Sequence, residues 1–258
     1  MRLTVVGCSG SFAGPASPAS CYLLSADDGQ RTWRVALDLG NGALGALQRH
    51  VDPASLDALL LTHLHPDHCM DVTGLYVTRR YRPQGPLPTR LPVYGPAGTA
   101  DRLAAAYEGI DDVGMTRELD FRRLSDTIPV HIGPFVITPY RVNHPVEAYG
   151  FRVESGGRVL AYTGDTDACP ALSRLMRDAD LVLADSAFVD GRDQIPDIHL
   201  SGSRAAQAAV DAGGVGRLVL THIPAWNDPQ VCRAQAAAVW CGEGREVELA
   251  EPDATYEV

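Results

Sequence analysis

The sequence predicts an α/β domain, in which buried strands alternate with helices along the chain. Three observations lead to this fold class. Short apolar clusters rich in Val, Leu and Tyr recur with turn residues between them, as expected of buried or half-buried strands. Segments of helical composition separate several of these clusters. No Pro/Gly/Ser-rich linker or change in composition divides the 258 residues, so a single domain over residues 1–258 is predicted.

The first half of the chain contains five predicted strands and two predicted helices. The strands cover residues 2–7, 21–25, 33–40, 56–62 and 91–95. The helices cover residues 68–81 and 96–109, and the second begins with Pro and ends with Gly, as helices often do. A Pro-rich stretch at 82–88 is predicted to form a surface loop.

The second half repeats the alternation. A strand at 135–142 precedes a hairpin over 149–164, whose turn is Gly156-Gly157. Further strands are predicted at 180–186 and 217–222. The intervening segments predict three helices, which cover residues 169–178, 203–214 and 228–241.

The charged residues exclude several classes of enzyme. All 22 basic residues are arginines, so mechanisms that need a lysine, such as Schiff-base, P-loop and kinase chemistry, are excluded. The net charge of −10 argues against broad nucleic-acid binding. One acid-free stretch contains Arg79, Arg80 and Arg82 and is a candidate phosphate-binding field. Solvation of a helix surface is the favoured interpretation of these arginines.

The chain start and the cysteines predict a cytoplasmic protein. The first ten residues have the pattern of a strand and a turn, and differ from a signal peptide. No apolar run approaches the ~20 residues of a membrane-spanning helix, so no membrane association is expected. The six cysteines form no CxxC pair, which favours reduced thiols.

Three histidines and an aspartate lie close together in THLHPDHCMD, directly after the strand predicted at 56–62. Loops at the carboxyl ends of strands are where α/β proteins build their sites. Imidazole and carboxylate groups are the ligands that suit zinc and neighbouring metals. His63 and His65, two residues apart, can share one ion. The turn at Pro66 can direct Asp67 and His68 to a second, so the spacing predicts a two-metal site.

This segment resembles the HxHxDH signature of the metallo-β-lactamase superfamily, and the later motifs of that superfamily follow in order. They are Asp38 in LDLGNG, His144 in RVNHPV, Asp165 in YTGDT and His222 in LTHIP. The resemblance implies a four-layer αββα sandwich with a dinuclear site along one edge. It also implies two divalent metal ions, with zinc as the favoured metal and manganese or iron as alternatives. The implied ligands are His63, His65 and His144 on one metal, Asp67, His68 and His222 on the other, and Asp165 as the bridge.

Further residues are assigned by the same resemblance. Asp38 would stand behind the ligands and orient them. His199 in IHLSGSRAA resembles the histidine of the HST-type motif of the ribonuclease Z branch, and would act as a general acid or bind phosphate. Asp185 takes the place of that branch's usual Glu and would orient His199, although its side chain is shorter. Asp67, His199 and Asp185 are therefore the catalytic candidates. The alternative is that His199 only caps structure near Ser201.

The expected substrate is a small phosphodiester. The tRNA-processing enzymes of the branch carry a long arm between the third-motif His and the bridging Asp, but here Asp165 follows His144 by only 21 positions. Segments such as GCSGS at 7–11 and LTHIPAW at 220–226 resemble actinobacterial relatives described as atypical class II 3′,5′-cyclic AMP phosphodiesterases. That resemblance implies attack of a metal-bridging hydroxide and release of a 5′-monophosphate. Ser9 and Ser11 would contact the substrate, unless they form a plain turn.

Two other functions stay open. The first is a ribonuclease Z-like tRNA 3′-end endonuclease, for which substrate binding would depend strongly on salt. The second is a non-catalytic metal-binding scaffold, although binding alone does not require the full set of ligands. The family resemblance further implies a homodimer, and nucleic acid is not the expected partner.

Overall fold

Two mixed β-sheets pack face to face, and helices cover their outer surfaces. The computed structural model describes residues 1–107, 114–242 and 244–258. Within these ranges each sheet has seven strands. The strands are β1 (Arg2–Gly7), β2 (Cys21–Asp27), β3 (Thr32–Leu37), β4 (Ala58–Leu60), β5 (Leu91–Gly95), β6 (Leu119–Arg123), β7 (Val130–Ile132), β8 (Phe135–Arg141), β9 (Tyr149–Ser155), β10 (Arg158–Tyr162), β11 (Leu181–Asp185), β12 (Arg217–Thr221), β13 (Val247–Leu249) and β14 (Thr255–Glu257).

The two sheets have the same pattern of strand directions. Their orders are β14-β1-β2-β3-β4-β5-β6 and β13-β12-β11-β10-β9-β8-β7. In the first sheet β3 to β6 are parallel, and in the second sheet β10 to β13 are parallel. Parallel strands end at one edge of a sheet, so each sheet has an edge suited to a binding site.

The helices lie outside the sheets. They are α1 (Ala43–Leu47), α2 (Pro66–Cys69), α3 (Val72–Arg80), α4 (Thr99–Ala106), α5 (Ala171–Met176), α6 (Gly202–Ala212) and α7 (Pro229–Ala237). In the described part of the chain, no helix is both long enough and apolar enough to cross a membrane.

Three apolar layers hold these elements together. The central layer lies between the sheets and includes Leu24, Leu37, Phe151 and Leu183. A second layer joins the first sheet to α1, α3 and α4, and a third joins the other sheet to α5, α6 and α7. The layers therefore follow the order helix, sheet, sheet, helix, which confirms the predicted αββα sandwich.

The helix predicted over 68–81 is wrong in one respect, because the chain breaks it into α2 and α3. At the break, the carbonyl of His68 accepts a hydrogen bond from the Leu39 amide, and the Asp71 amide donates to the Leu39 carbonyl. The Asp71 carboxylate also accepts the Leu44 amide at 2.9 Å. These bonds tie the break to the loop after β3. They hold α2, which carries two predicted ligands, close to that loop.

Other differences concern short or distant elements. The helix predicted over 96–109 is α4, and residues 108 and 109 lie outside the described residues. The sequence patterns missed α1, β6, β7, β13 and β14. Of these, β14 pairs with β1 through the opposed residues Arg2 and Glu257, at the two ends of the chain. A local sequence pattern cannot indicate a pairing partner so distant in sequence, so β14 was not predicted.

Candidate active site

The predicted ligands meet at the edge where parallel strands of both sheets end. His63 follows β4 by three residues, and Asp165 follows β10 by three. His222 comes directly after β12, and Asp38 directly after β3. His144 joins them from the loop after β8. The topology thus brings distant strand ends together, although the residues are spread over most of the chain.

His63, His65 and His144 form the first cluster. The Nε2 atoms of His63 and His144 lie 3.0 and 3.2 Å from Nδ1 of His65. Each residue offers a nitrogen within 4.8 Å of the other two. Three imidazole nitrogens facing one point are a donor set that can hold a transition-metal ion.

Asp67, His68, Asp165 and His222 form the second cluster, and all four are buried. Oδ2 of Asp165 lies 3.2 Å from Nε2 of His222 and 3.6 Å from Nε2 of His63. Asp165 therefore reaches both clusters. Oδ1 of Asp165 and Nε2 of His68 are 3.1 Å apart, yet both are buried without a hydrogen-bond partner. Such orphaned donors and acceptors fit a site built for a cation.

Hydrogen bonds orient four of the histidines from behind. In each ring Nδ1 has a partner outside the clusters, and Nε2 faces the other members of the clusters; Nε2 of His222 also accepts the Ser11 amide at 3.4 Å. This is the usual arrangement of metal-binding histidines. The bonds are His63 Nδ1 to Thr62 Oγ1 at 3.0 Å, His68 Nδ1 to Asp38 Oδ2 at 2.8 Å, His144 Nδ1 to the Ile198 carbonyl at 2.9 Å, and His222 Nδ1 to Ser20 Oγ at 3.0 Å.

Asp38 is the centre of this outer network. Its buried carboxylate accepts the Thr62 amide at 2.7 Å and the Tyr162 hydroxyl at 2.9 Å, and contacts Nδ1 of His68. Its φ of 59° lies in the left-handed region, which non-glycine residues rarely adopt. Asp38 thus lies behind His68, where the sequence placed it.

Burial and neighbouring charges act differently on the members of the two clusters. It lowers the pKa of His63, His144 and His222, so these rings are neutral and keep a free lone pair at neutral pH. Burial would raise the pKa of Asp165, but the surrounding imidazoles hold it well below its usual range. Burial opposes charge on His68, but the carboxylates of Asp165, Asp38 and Asp67 raise its pKa well above the usual range, so this ring must lose a proton to bind a metal. Neutral imidazole and ionised carboxylate are the metal-binding forms, and the residue types of the clusters fit a divalent metal.

His199 and Asp185 form a pair beside the clusters. Nδ1 of His199 lies 2.9 Å from Oδ2 of Asp185, so the shorter aspartate still reaches the ring. Backbone amides of Thr166 and Ala187 hold the buried carboxylate. Burial opposes charge on the ring, yet Asp185 raises the pKa of His199 to about 9. The imidazole is therefore protonated at neutral pH. The pair also lies close to the second cluster, because Asp165, Asp185 and His199 each offer one donor atom and these atoms lie within 4.8 Å of one another.

Sequence reasoning missed the residues that hold the His199 loop. Nη2 of Arg204 donates to the carbonyl of His199 at 2.8 Å, and its Nη1 pairs with Asp167. Asp167 in turn accepts the Asp197 amide at 2.9 Å. The signal available in the sequence was the position of Arg204, in the first turn of the helix that follows HLSG.

The structure separates the two serines that were predicted to contact substrate. The Ser11 amide lies 3.4 Å from Nε2 of His222, with φ at 62°. Gly10 permits this approach, because a Cβ there would lie 2.1 Å from the His222 carbonyl oxygen. Ser9 is buried and lines a cavity of about 260 Å³ with Ile223 and other residues, of which none is a predicted ligand.

The arginine run has a structural role at the other end of the molecule. Arg79 is buried and donates to the backbone carbonyls of Thr89 and Glu118, which precede β5 and β6. Arg80 pairs with the Glu118 carboxylate at 3.1 Å. Thr89 and Glu118 lie just before the starts of β5 and β6. These strands are parallel to β4, and the ligand segment follows the end of β4, so the Arg79 contacts lie at the opposite end of the sheet from the site. The prediction that Arg79 is solvated on a helix surface is therefore wrong. The alternative interpretation of these arginines as a phosphate-binding field gains no support.

Taken together, the αββα sandwich and the histidine and aspartate clusters at its edge, which could hold metal ions, define the class of metallo-β-lactamase-fold proteins. A family model described as the Beta-lactamase superfamily domain matches residues 34–223. The chain belongs to this superfamily.

The chain is similar to several proteins over nearly its whole length. An uncharacterized protein of Mycobacterium leprae is 46% identical over 247 residues, covering 94% of this chain and 84% of that protein. Ribonuclease Z of Mycobacterium bovis is 31% identical over 268 residues, covering 94% of each chain. The crystal structure of the metallo-β-lactamase fold protein YhfI from Bacillus subtilis matches with a TM-score of 0.83 at 27% identity, covering 99% of both chains. The predicted resemblance to the ribonuclease Z-like branch is confirmed.

Proposed function

We propose that this protein is a metal-dependent phosphodiesterase that hydrolyses 3′,5′-cyclic nucleotides to 5′-monophosphates. Cyclic AMP is the favoured substrate. The observation that carries the proposal is the His199–Asp185 pair beside Asp165. A protonated imidazole at this position can supply the proton that an alkoxide leaving group requires. The site thus combines donors for metal ions with an acid for the leaving oxygen.

The two clusters would hold two divalent ions, with Asp165 between them. Zinc is the first choice because the donors are imidazole and carboxylate groups, and manganese or iron could take the same donors. Divalent ions in such a site polarise a phosphoryl oxygen and lower the pKa of water. The ligands are His63, His65, His144, Asp67, His68, Asp165 and His222.

The side chains would divide the remaining work among them. The Ser11 amide donates to Nε2 of His222 at 3.4 Å, so it lies beside a proposed ligand. Once that nitrogen holds a metal, the amide would be free to donate to a non-bridging phosphate oxygen. Asp67 would accept a proton from the attacking water as its oxygen bonds to phosphorus. His199 would give its Nε2 proton to the 3′ oxygen as the bond from phosphorus to that oxygen breaks. Asp185 keeps Nδ1 of His199 bonded and so keeps Nε2 directed at the substrate.

A small substrate agrees with the shape of the chain near the site. Between His144 and Asp165 the chain forms β9, a two-residue turn and β10, so no long arm is inserted there. The net charge of −10 disfavours a polyanionic partner. A cytoplasmic location and a homodimer belong to the same proposal.

A tRNA 3′-end endonuclease is the second candidate. The 31% identity to Ribonuclease Z of Mycobacterium bovis, over 94% of each chain, favours it. A protein that neutralises several phosphates loses affinity steeply as salt rises, whereas a single cyclic phosphate gives a shallow dependence. The salt dependence of activity therefore separates the two candidates.

The test is a substrate panel for the full chain loaded with Zn²⁺ or Mn²⁺. We expect cyclic AMP and bis(p-nitrophenyl) phosphate to be hydrolysed, and pre-tRNA to be cleaved more slowly. His199→Ala should lower kcat by roughly 10²–10⁴-fold, the usual contribution of a general acid, and Asp67→Ala should also slow the reaction greatly. His50→Ala, whose ring pairs with Asp253, is the matched control and should behave as the native protein.

Three results would contradict the proposal. Faster cleavage of pre-tRNA than of cyclic nucleotides would establish the endonuclease. Metal binding without activity on any of the three substrates would establish a non-catalytic scaffold. Full activity of His199→Ala would remove that residue from the mechanism.

A further inference from the structure

An exposed pair of aromatic side chains lies beside the metal-binding clusters. The ring centroids of Phe12 and Trp226 are 4.8 Å apart, and their planes are inclined by 42°. Phe12 is 38% exposed and Trp226 is 64% exposed. Single exposed apolar residues need no explanation, but these two large rings pack together and form an exposed apolar patch.

The pair belongs to two loops that meet at His222. Phe12 directly follows Ser11, whose amide lies 3.4 Å from Nε2 of His222. Trp226 follows His222 by four residues, in the loop between β12 and α7. The rings therefore stand next to an amide that donates to His222, a proposed metal ligand.

Hydrogen bonds hold both loops in place. The Asn227 amide donates to the Pro224 carbonyl at 2.8 Å, and Nδ2 of Asn227 donates to the Ala187 carbonyl at 2.8 Å. The Phe12 amide donates to the Gly10 carbonyl at 2.7 Å. The indole is therefore presented by an anchored backbone, so little ordering is needed when a ligand binds.

We propose that Trp226 is the platform on which the nucleobase of the substrate stacks, and that Phe12 holds the indole in position. This inference rests on the proposed function. In a nucleotide the base is one ribose away from the phosphate, so a phosphate at the Ser11 amide brings the base to the neighbouring side chains. Phe12 and Trp226 already touch, so the base stacks on the outward face of the indole.

A single base fits this surface better than a nucleic-acid strand does. Proteins that bind single strands combine stacking rings with a positive groove along the backbone. Arg79 and Arg80 are committed to the opposite end of the sheet, and the chain carries a net charge of −10. Stacking accepts any base, because every base has a π-face. Trp226 therefore sets affinity for nucleotides without choosing between adenine and guanine.

The experiment compares Trp226→Ala, Trp226→Phe and Phe12→Ala with Tyr81→Ala in the metal-loaded full chain. Tyr81 is the matched control, because it is 60% exposed and follows α3 at the other end of the molecule. The measurements are kcat and KM for cyclic AMP and cyclic GMP, and inhibition constants for AMP and for ribose 5-phosphate, which has no base. Indole fluorescence is followed during titration with the same two ligands.

We expect Trp226→Ala to raise the KM for both cyclic nucleotides and the inhibition constant of AMP by about tenfold, with the loss in KM rather than in kcat. Ribose 5-phosphate should bind this variant and the native protein about equally. Trp226→Phe should retain most of the affinity, and Phe12→Ala should lose part of it. AMP should quench the fluorescence of the native protein but not that of Trp226→Phe, while Tyr81→Ala should behave as the native protein.

Two results would overturn the proposal that Trp226 is a stacking platform for the base. One is an equal loss of affinity for AMP and ribose 5-phosphate in Trp226→Ala. The other is a dissociation of oligomers in this variant with unchanged nucleotide affinity, which would make the pair a contact between copies of the chain. If Trp226→Ala does not fold, Trp226→Phe and the fluorescence titration decide.

The proposed function can fail independently. If the native protein hydrolyses cyclic AMP but Trp226→Ala matches it, the platform is wrong and the function stands. If no cyclic nucleotide is hydrolysed but AMP still quenches Trp226 and ribose 5-phosphate does not, the function is wrong and the platform stands.

Discussion

His199 and His63 are the same type of side chain and both pack against the ring of His144, yet they carry different charges. Burial among other imidazoles lowers the pKa of His63, which therefore stays neutral. His199 is buried too, but the facing carboxylate of Asp185 raises its pKa to about 9. At the scale of single residues, the neighbour decides whether a histidine is fit to bind a metal or to donate a proton.

This difference makes Asp185→Asn an informative variant. With the carboxylate present, His199 keeps its proton through neutral pH and loses it as the pH rises through about 9. Without the charge, the pKa of His199 falls, so the alkaline limb of kcat should move to lower pH. The measurement is a pH–rate profile for cyclic AMP hydrolysis. Asp211→Asn, an exposed carboxylate on α6, is the control, and an unmoved alkaline limb in Asp185→Asn would contradict the assigned pairing.

At the scale of elements, several residues of the site depend on a partner from another element. Ser20, before β2, orients His222, which follows β12. Tyr162, at the end of β10, bonds Asp38, which follows β3. The break between α2 and α3 is bonded to the loop after β3. The site is therefore held by contacts between elements, and no single loop would keep this geometry alone.

The opposite end of the first sheet gives a prediction that separates stability from binding. Arg79 joins α3 to the residues before β5 and β6. Arg79→Ala removes these hydrogen bonds and should lower the free energy of unfolding by about 1–3 kcal/mol. The KM for cyclic AMP should not change, because these contacts are far from the ligands. Urea denaturation and kinetics, with Arg82→Ala as control, test this, and a raised KM would restore the phosphate-field interpretation.

At the scale of the whole molecule, the clusters join the two sheets. His63 and Asp67 follow a strand of the first sheet, whereas His144, Asp165 and His222 follow strands of the second. An ion shared by these residues would connect the two halves of the sandwich. Metal binding would then contribute to the stability of the whole fold as well as to the chemistry.

Removal of metal should therefore lower the melting temperature. A ligand that binds only the folded state stabilises it by RT ln(1 + [L]/Kd), or about 2.7 kcal/mol per site at 100 times Kd. We expect a chelator to lower the Tm and added Zn²⁺ or Mn²⁺ to restore it. His144→Ala should respond less than His50→Ala, which keeps the full set of ligands. Equal melting of the chelated and the metal-loaded protein would mean that the clusters hold no resident metal.

The strands that the sequence predicted are those with a strong apolar pattern. β1, β9 and β10 follow the predicted segments closely, and the turn at Gly156-Gly157 is present with both residues at positive φ. β7 and β13, each three residues long, are too short to show a period. The helix over 68–81 was predicted as continuous because its break depends on hydrogen bonds to the distant residue Leu39.

The sequence by itself predicted the α/β fold class and the metal-ligand segment from His63 to His68. The αββα sandwich, the later ligands and the pairing candidates His199 and Asp185 were implied by the resemblance to the metallo-β-lactamase superfamily and its ribonuclease Z-like branch. The first two follow from local spacing and apolar pattern, and the others from the family's motifs. Only the tertiary structure decided that Arg79 is buried at the far end, that Arg204 holds the His199 loop, and that Phe12 meets Trp226. The physical reason is that each of these contacts joins residues from separate elements. Their distance in space depends on how sheets and helices pack, which no local pattern records.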